Sequence, residues 1–357
     1  MGSMWMAGLR FENRRDRDAM IAKESRIFVA GHQGLVGSAV LRTLRGAGFR
    51  NLCYSVRASL DLRNREEVFR YFDRARPKGV VMCAGRVGGI GANQSSPVEF
   101  MAENLAMGTN VIEAADHYDV DRFVYLGSSC IYPRRSPQPI TEDQLLSGRL
   151  EPTNEGYAIA KIACVKLCES LRLQYGKGFV SLMPTNLYGP GDRYEADSSH
   201  VIPALLLKML LAKRSGQESV SCWGSGQPLR ELLYVDDLAA ACVLVLQHDG
   251  GFPILNVGSG EEVSIHELAE KIADVVGYYG KLNWDQSKPD GVKRKLLCSE
   301  RIRSLGWRPR TPLSVGLKKT FQDFQERIER SAEMERGRER QQGSGQSRLV
   351  KSDDRVV

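Results

Sequence analysis

Short apolar runs alternate with amphipathic stretches through the first half of the chain. Residues 26–30 are too short for a helix and rich in strand formers; Val40, Leu41 and Leu44 then recur at helical spacing before Gly46. The alternation continues with strands over 52–56, 79–84, 122–127 and 179–183, and helices over 66–75, 99–118 and 157–175. Such a rhythm predicts an α/β fold with a doubly wound parallel sheet over residues 25–190. Beyond 190 the rhythm loosens, with helices over 202–213 and 265–276. Residues 191–330 are expected to form a smaller, mainly C-terminal α/β domain for substrate, some segments of which can return to the first domain. Residues 1–24 read as a flexible extension, with Met20 a candidate start, and residues 331–357 as a polar, disordered tail.

Composition narrows the function class. The chain has 357 residues and a formal charge of +7. The basic runs near Arg14 and Arg338 are interrupted by acidic residues, so they read as solvated ends rather than nucleic-acid arms. The excess charge suits an anionic small-molecule substrate. No run of about 18 apolar residues is present, which excludes a helical membrane span. Eight cysteines without C-x-x-C spacing read as reduced thiols of a cytoplasmic protein, and no metal-ligand spacing accompanies them.

Gly31-His32-Gln33-Gly34-Leu35-Val36-Gly37 joins the first strand to the first helix. A backbone that must turn sharply and approach a pyrophosphate needs glycine there, and the helix N-terminus supplies N–H donors. This predicts a Rossmann-type dinucleotide site. Arg57, at the end of the second strand, suits the 2′-phosphate of NADP(H), while Asp61 and Leu62 are expected near the adenine.

Tyr157 and Lys161 are four apart, so both project from one helix face. An ammonium beside a phenol is expected to stabilise the phenolate and lower the tyrosine's pKa from its usual value near 10, easing proton transfer to a carbonyl oxygen. Ser128, ending the fourth strand, is placed to hold the same carbonyl, with Leu126, Gly127 and Ser129 around the cofactor.

With these features the chain resembles the extended short-chain dehydrogenase/reductase family, and within it the epimerase-reductases of GDP-linked 4-keto-6-deoxyhexoses. The resemblance rests on Val87-Gly88-Gly89-Ile90, Gly127-Ser128-Ser129-Cys130-Ile131-Tyr132-Pro133, Glu151-Pro152-Thr153-Asn154-Glu155, Pro184-Thr185-Asn186-Leu187-Tyr188-Gly189-Pro190, Ser199-His200-Val201-Ile202-Pro203, Trp223-Gly224-Ser225-Gly226 and Lys288-Pro289-Asp290-Gly291. It spans residues from about 26 to about 325. It implies NADPH-dependent conversion of GDP-4-keto-6-deoxy-D-mannose to GDP-L-fucose by 3,5-epimerisation and C4 reduction, or the same chemistry on another GDP-4-keto-deoxysugar or heptose.

The resemblance also implies roles for single residues. Ser128, Tyr157 and Lys161 serve the reduction, and Cys130 and His200 the epimerisation. Pro184, Thr185, Asn186, Leu187 and His200 join the glycine turn and Lys161 around the cofactor. Lys208, Trp223, Arg230 and Asp290 face substrate. Read by themselves, Cys130 and Trp223 pass equally as core filler, His200 as a helix cap, and Arg230 as a surface ion pair with Glu231, Asp236 or Asp237. The family's arginine in the glycine turn is Gln33 here, its arginine at 208 is Lys208, and the proline before its tyrosine is Gly156. A homodimer through the helices at 99–118 and 157–175 is also implied.

Overall fold

The computed structural model describes residues 20–194, 200–288 and 290–346, with side chains to 330. The expectations for residues 1–19 and 347–357 lie outside the described residues. β1 (Ile27–Ala30) is apolar and buried on both faces, as a strand between two neighbours must be. α1 (Leu35–Gly46) follows and turns Val40, Leu41 and Leu44 inward. β2 (Leu52–Cys53) is a two-residue edge, shorter than its composition predicts. α2 (Arg65–Ala75) begins at Asn64, whose side chain accepts from the N–H groups of Glu66 and Glu67. β3 (Gly79–Met82), α3 (Ile90–Ser95), α4 (Pro97–His117), β4 (Arg122–Leu126), α5 (Glu155–Tyr175) and β5 (Gly178–Pro184) continue the alternation. Then come β6 (Asn186–Tyr188), α6 (Val201–Ser215), β7 (Ser219–Trp223), β8 (Leu229–Tyr234), α7 (Val235–Gln247) and β9 (Ile254–Val257). β10 (Glu262–Ser264), α8 (Ile265–Val276), β11 (Lys281–Asp285), α9 (Glu300–Ser304) and α10 (Leu313–Gln346) complete the order.

The main sheet runs β2-β1-β3-β4-β5-β9 with every pair parallel. Its order reverses between β1 and β3, which opens a crevice at the C-terminal ends of the strands. α1 and α7 cover one face, with Val40, Leu44, Leu238 and Val245 in the core. α2, α4 and α5 cover the other through Phe72, Val111, Ile112 and Val165.

β9 and α7 come from the stretch expected to serve substrate, and they return to the main sheet. Every residue of Ile254–Val257 is buried, which fits a strand covered on both sides better than a small exposed sheet. The smaller unit consists of β10-β8-β6, the β11-β7 pair and a core in which α6 and α8 pack on α10 through Leu206, Met209, Ile272 and Leu317. α10 runs to Gln346, past Ser331, where the polar composition suggested that order ends. Residues 331–346 contain no proline and many Glu, Arg and Gln, so backbone propensity favours continuing the helix.

Candidate active site

The glycine turn is built for close approach. Gly31 has φ +80°, and a Cβ there would press on the Ala84 backbone at 2.7 Å. A Cβ on Gly37 would run into the carbonyl oxygen of Gly31. Gly34 occupies the N-cap of α1 in an extended conformation and offers no side-chain cap. The first N–H groups of α1 are thus left for an anionic ligand, and the turn fits a dinucleotide pyrophosphate.

At the adenosine end, the His32 and Tyr54 rings meet at a tilt with centres 4.6 Å apart, and burial lowers the His32 pKa. Gln33 and Arg57 are exposed. Asp61 is held by Arg63, with Nε donating at 3.0 Å and Nη2 at 2.6 Å, and that hydrogen bonding drops its carboxyl to about 2. Arg57 Nε lies 4.0 Å from the same carboxylate. Asp61 is therefore already engaged by a cation, and Leu62, half-buried, offers its carbonyl to Asn110. The negative charge that would oppose a 2′-phosphate is offset, and Arg57 remains exposed to meet one.

The chemistry-bearing side chains meet at the end of β4. Ser128 sits in extended backbone before a short 3-10 turn, and its Oγ accepts from the Cys130 N–H at 3.2 Å. The same hydroxyl lies near enough to the Tyr157 phenol to oppose the rise that burial causes in its pKa. Lys161 is 5% exposed, and its Nζ donates to the Leu126 carbonyl at 2.8 Å. Nζ lies 5.9 Å from the Tyr157 ring centre and 5.0 Å from that of Tyr125.

Burial lowers Lys161 to about 8, against weaker opposing effects of Cys164 and Cys83. Burial also holds the Tyr157 phenol well above its ordinary value, helped by Cys130 and opposed by the Ser128 hydroxyl. The expectation that Lys161 pulls the tyrosine downward is thus corrected: burial dominates and the phenol is raised. The i,i+4 spacing fixes the shared face, but the ammonium turns to a main-chain acceptor, and loss of hydration dominates. What results is a firmly protonated tyrosine, suited to giving a proton.

The other expected residues are distributed around this corner. A Cβ on Gly127 would meet the end of the buried Met183 side chain, which would have to shift to admit it. Ser129 is buried beneath the turn. Pro184 ends β5 opposite Val257. Thr185 Oγ1 and Asn186 Nδ2 both donate to the Glu231 carbonyl at 3.1 Å, and Leu187 is half-buried. His200 is exposed at the N-cap of α6, without a side-chain cap bond. It lies near enough to buried Asp192 to oppose the rise that burial causes there, whereas Cys130 helps to raise the Tyr157 phenol.

Lys208, Trp223, Arg230 and Asp290 do gather. Lys208 Nζ lies 5.4 Å from the Trp223 ring. Asp290 accepts from the Ser225 N–H and hydroxyl at 2.6 and 2.8 Å, an approach that Gly224 allows only because it lacks a Cβ. Arg230 donates to the carbonyls of Leu229, Val292 and Asp290. It pairs with neither Glu231 nor Asp236, and Asp236 binds Arg42 instead.

Two residues escaped the sequence. Lys288 places a second ammonium 5.4 Å from Trp223, and its closeness to Asp290 in the chain was the available signal. Glu231 is fully buried; its carboxylate accepts from the N–H groups of Gly260 and Leu297 while its carbonyl holds Thr185 and Asn186. A lone glutamate inside an apolar strand is the signal that marks it.

Residues 27–258 match the NAD dependent epimerase/dehydratase family. The chain is 50% identical over 303 residues to GDP-L-fucose synthase 1 of Arabidopsis thaliana, covering 85% of this chain and 94% of that protein. Among solved structures it is similar to a GDP-L-fucose synthetase from Naegleria fowleri bound to NADP, with TM-score 0.80, 27% identity and coverage of 88% and 98%. A GDP-6-OMe-4-keto-L-xylo-heptose reductase from C. jejuni is also similar, with TM-score 0.81, 30% identity and coverage of 86% and 99%.

Proposed function

The chain belongs to the NAD dependent epimerase/dehydratase family, and from that premise we propose that it converts GDP-4-keto-6-deoxy-D-mannose to GDP-L-fucose, inverting C3 and C5 before reducing C4. It is an NADP-dependent oxidoreductase with epimerase activity. The observation that carries the reading is the meeting of Ser128, Cys130 and Tyr157 above buried Lys161.

A 4-keto group acidifies the protons at C3 and C5, because their removal gives an enolate. Cys130 shares the turn of Ser128, which suits it to take those protons, and His200 serves as the acid from the other side. Ser128 holds the C4 oxygen. NADPH, when bound in the crevice, supplies the hydride for C4. Tyr157 gives its proton to the developing alkoxide; below about pH 8 the charge on Lys161 favours the phenolate left behind. Lys208, Lys288 and Arg230 suit a nucleotide diphosphate, and Trp223 a ring face.

Another GDP-4-keto sugar is the second reading, favoured by the likeness to the heptose reductase. Incubation with NADPH and GDP-4-keto-6-deoxymannose, followed by NMR of the sugar, decides between them. GDP-L-fucose is the expected product; no consumption of this sugar, with turnover of a heptose, selects the second reading.

A homodimer through α4 and α5 is supported by the exposure of Val98, Met101, Ile159, Leu173 and Tyr175 on those helices. Light scattering of the purified protein tests this dimer. A cytoplasmic location is supported by eight free thiols. Among the described residues no helix is long and apolar enough to cross a membrane.

A further inference from the structure

β8 is the middle strand of the β10-β8-β6 sheet, and Glu231 is a fully buried carboxylate on it. Taking a carboxylate out of water is costly unless donors replace its hydration. Here the donors are main-chain N–H groups from two different segments. Gly260 donates to Oε1 at 2.8 Å and Leu297 to Oε2 at 3.0 Å. Gly258 brings its backbone against the same group, where a Cβ would collide with Oε1. Burial pushes the Glu231 pKa up, and the two N–H groups and the Thr185 hydroxyl oppose that rise.

Glu231 stands between two walls of the site. On one side the 290–297 segment runs along β8. Arg230 Nη1 donates to the Val292 carbonyl at 2.7 Å, and the Leu229 N–H donates to the Lys293 carbonyl at 2.9 Å. That segment begins at Asp290, beside Trp223 and the cations suited to a diphosphate. On the other side the Glu231 carbonyl accepts from Thr185 Oγ1 and Asn186 Nδ2. These are two of the residues expected around the nicotinamide.

The two walls are not held equally. The 290–297 segment has a second anchor, since the Ile140 N–H donates to the Leu296 carbonyl and the Cys298 N–H to the Ile140 carbonyl, both at 2.8 Å. The side-chain donors of Thr185 and Asn186 share the one carbonyl. A shift of residue 231 therefore disturbs the 185–186 wall and leaves the opposite segment seated. A carboxylate is the group that prevents this shift. Two N–H groups from separate segments need two acceptor oxygens, and an amide has one oxygen and an NH₂ that would face the second N–H.

We propose that Glu231 is a positioning residue for hydride transfer: its carboxylate, fixed by Gly260 and Leu297, sets the carbonyl that orients Thr185 and Asn186 toward the nicotinamide. The inference rests on the reading that the chain reduces C4 with NADPH bound at this wall. Hydride transfer depends steeply on the placement of donor and acceptor, so a small displacement of the wall costs rate more than affinity. Epimerisation through Cys130 and His200 uses none of these contacts.

The test measures NADPH oxidation with GDP-4-keto-6-deoxymannose, deuterium entry at C3 and C5 in D₂O without NADPH, and NADPH affinity from its fluorescence. In Glu231→Gln, kcat for NADPH oxidation should fall about 10- to 100-fold, while exchange, NADPH affinity and KM for the GDP-sugar stay within about threefold of wild type. Gly258→Ala keeps the charge but presses a methyl on Oε1; it should show the same selective loss, and it carries the test if Glu231→Gln does not fold by circular dichroism. Thr185→Val removes the hydroxyl at constant shape, and combining it with Glu231→Gln should add little, because both act through one contact. Parallel losses of oxidation, exchange and affinity, unchanged oxidation, or losses that multiply in the double variant would each overturn the proposal. If the wild-type protein does not oxidise NADPH with a GDP-4-keto sugar, the reading beneath fails; if it does and the variants show no selective loss, only the proposal fails.

Discussion

The two sides of the crevice are built on opposite principles. At the end of β4 the reactive groups are buried, and burial sets their protonation: Lys161 falls to about 8 and Tyr157 stays firmly protonated. Across from them, Trp223 is 52% exposed, Asp290 is open to solvent, and Lys208 and Arg230 spend donors on main-chain carbonyls. Among the described residues no carboxylate pairs with Lys208, whose Nζ donates to the Ser221 carbonyl, so its charge stays available to a polyanionic ligand. One side has its chemistry preset by desolvation; the other leaves Lys288 in solvent and Lys208 half-exposed, and only Arg230 there is lowered by burial. The first should therefore respond to substitution through kcat and pH, the second through KM and salt.

Lys161→Met separates the sides most sharply. Loss of the ammonium should reduce kcat at least about a hundredfold. The same change should stabilise the ligand-free protein at pH 7. The folded pKa near 8 lies below the unfolded value near 10.5, so the unfolded chain binds the extra proton between these limits and stability from this group rises with pH across them. Below about pH 8 the full penalty applies, roughly 3 kcal/mol by the shift, less about 1 kcal/mol for the lost bond to Leu126. Thermal melts at pH 7 and pH 10 check this: the variant's advantage should shrink at the higher pH, and a constant advantage would contradict the desolvation account.

Arg57→Ala comes next. Removing one charge-assisted bond to a 2′-phosphate should raise KM for NADPH roughly 10- to 100-fold while changing that for NADH little. Equal changes for both cofactors would show that Arg57 does not read the phosphate. Lys288→Ala is the smallest effect. A solvent-exposed cation should contribute a two- to fivefold change in KM for the GDP-sugar, about that of a surface pair, and the change should fade in 0.5 M salt. A salt-independent change in kcat would place Lys288 with the buried side instead.

Much of the buried side was legible because its chemistry needs fixed spacing. Ser128, Tyr157 and Lys161 follow from a strand end and one helical turn, and the glycines from the approach they permit. What spacing cannot give is the direction of a flexible side chain. Lys161 shares a face with Tyr157 but donates to Leu126, and Asp61, four residues past Arg57, is bound by Arg63 two residues on. That some segments return was expected, but which ones was hidden for a different reason: four buried residues such as Ile254–Val257 read alike in any sheet.

The central claim is that the buried side divides proton work between two residues, with Cys130 acting at C3 and C5 and Tyr157 at C4. Tyr157→Phe, incubated with GDP-4-keto-6-deoxymannose and NADPH in D₂O, tests it in one tube. Deuterium should still enter C3 and C5 at near the wild-type rate while NADPH oxidation falls at least about a hundredfold. Undiminished NADPH oxidation, or loss of exchange together with reduction, would contradict that division.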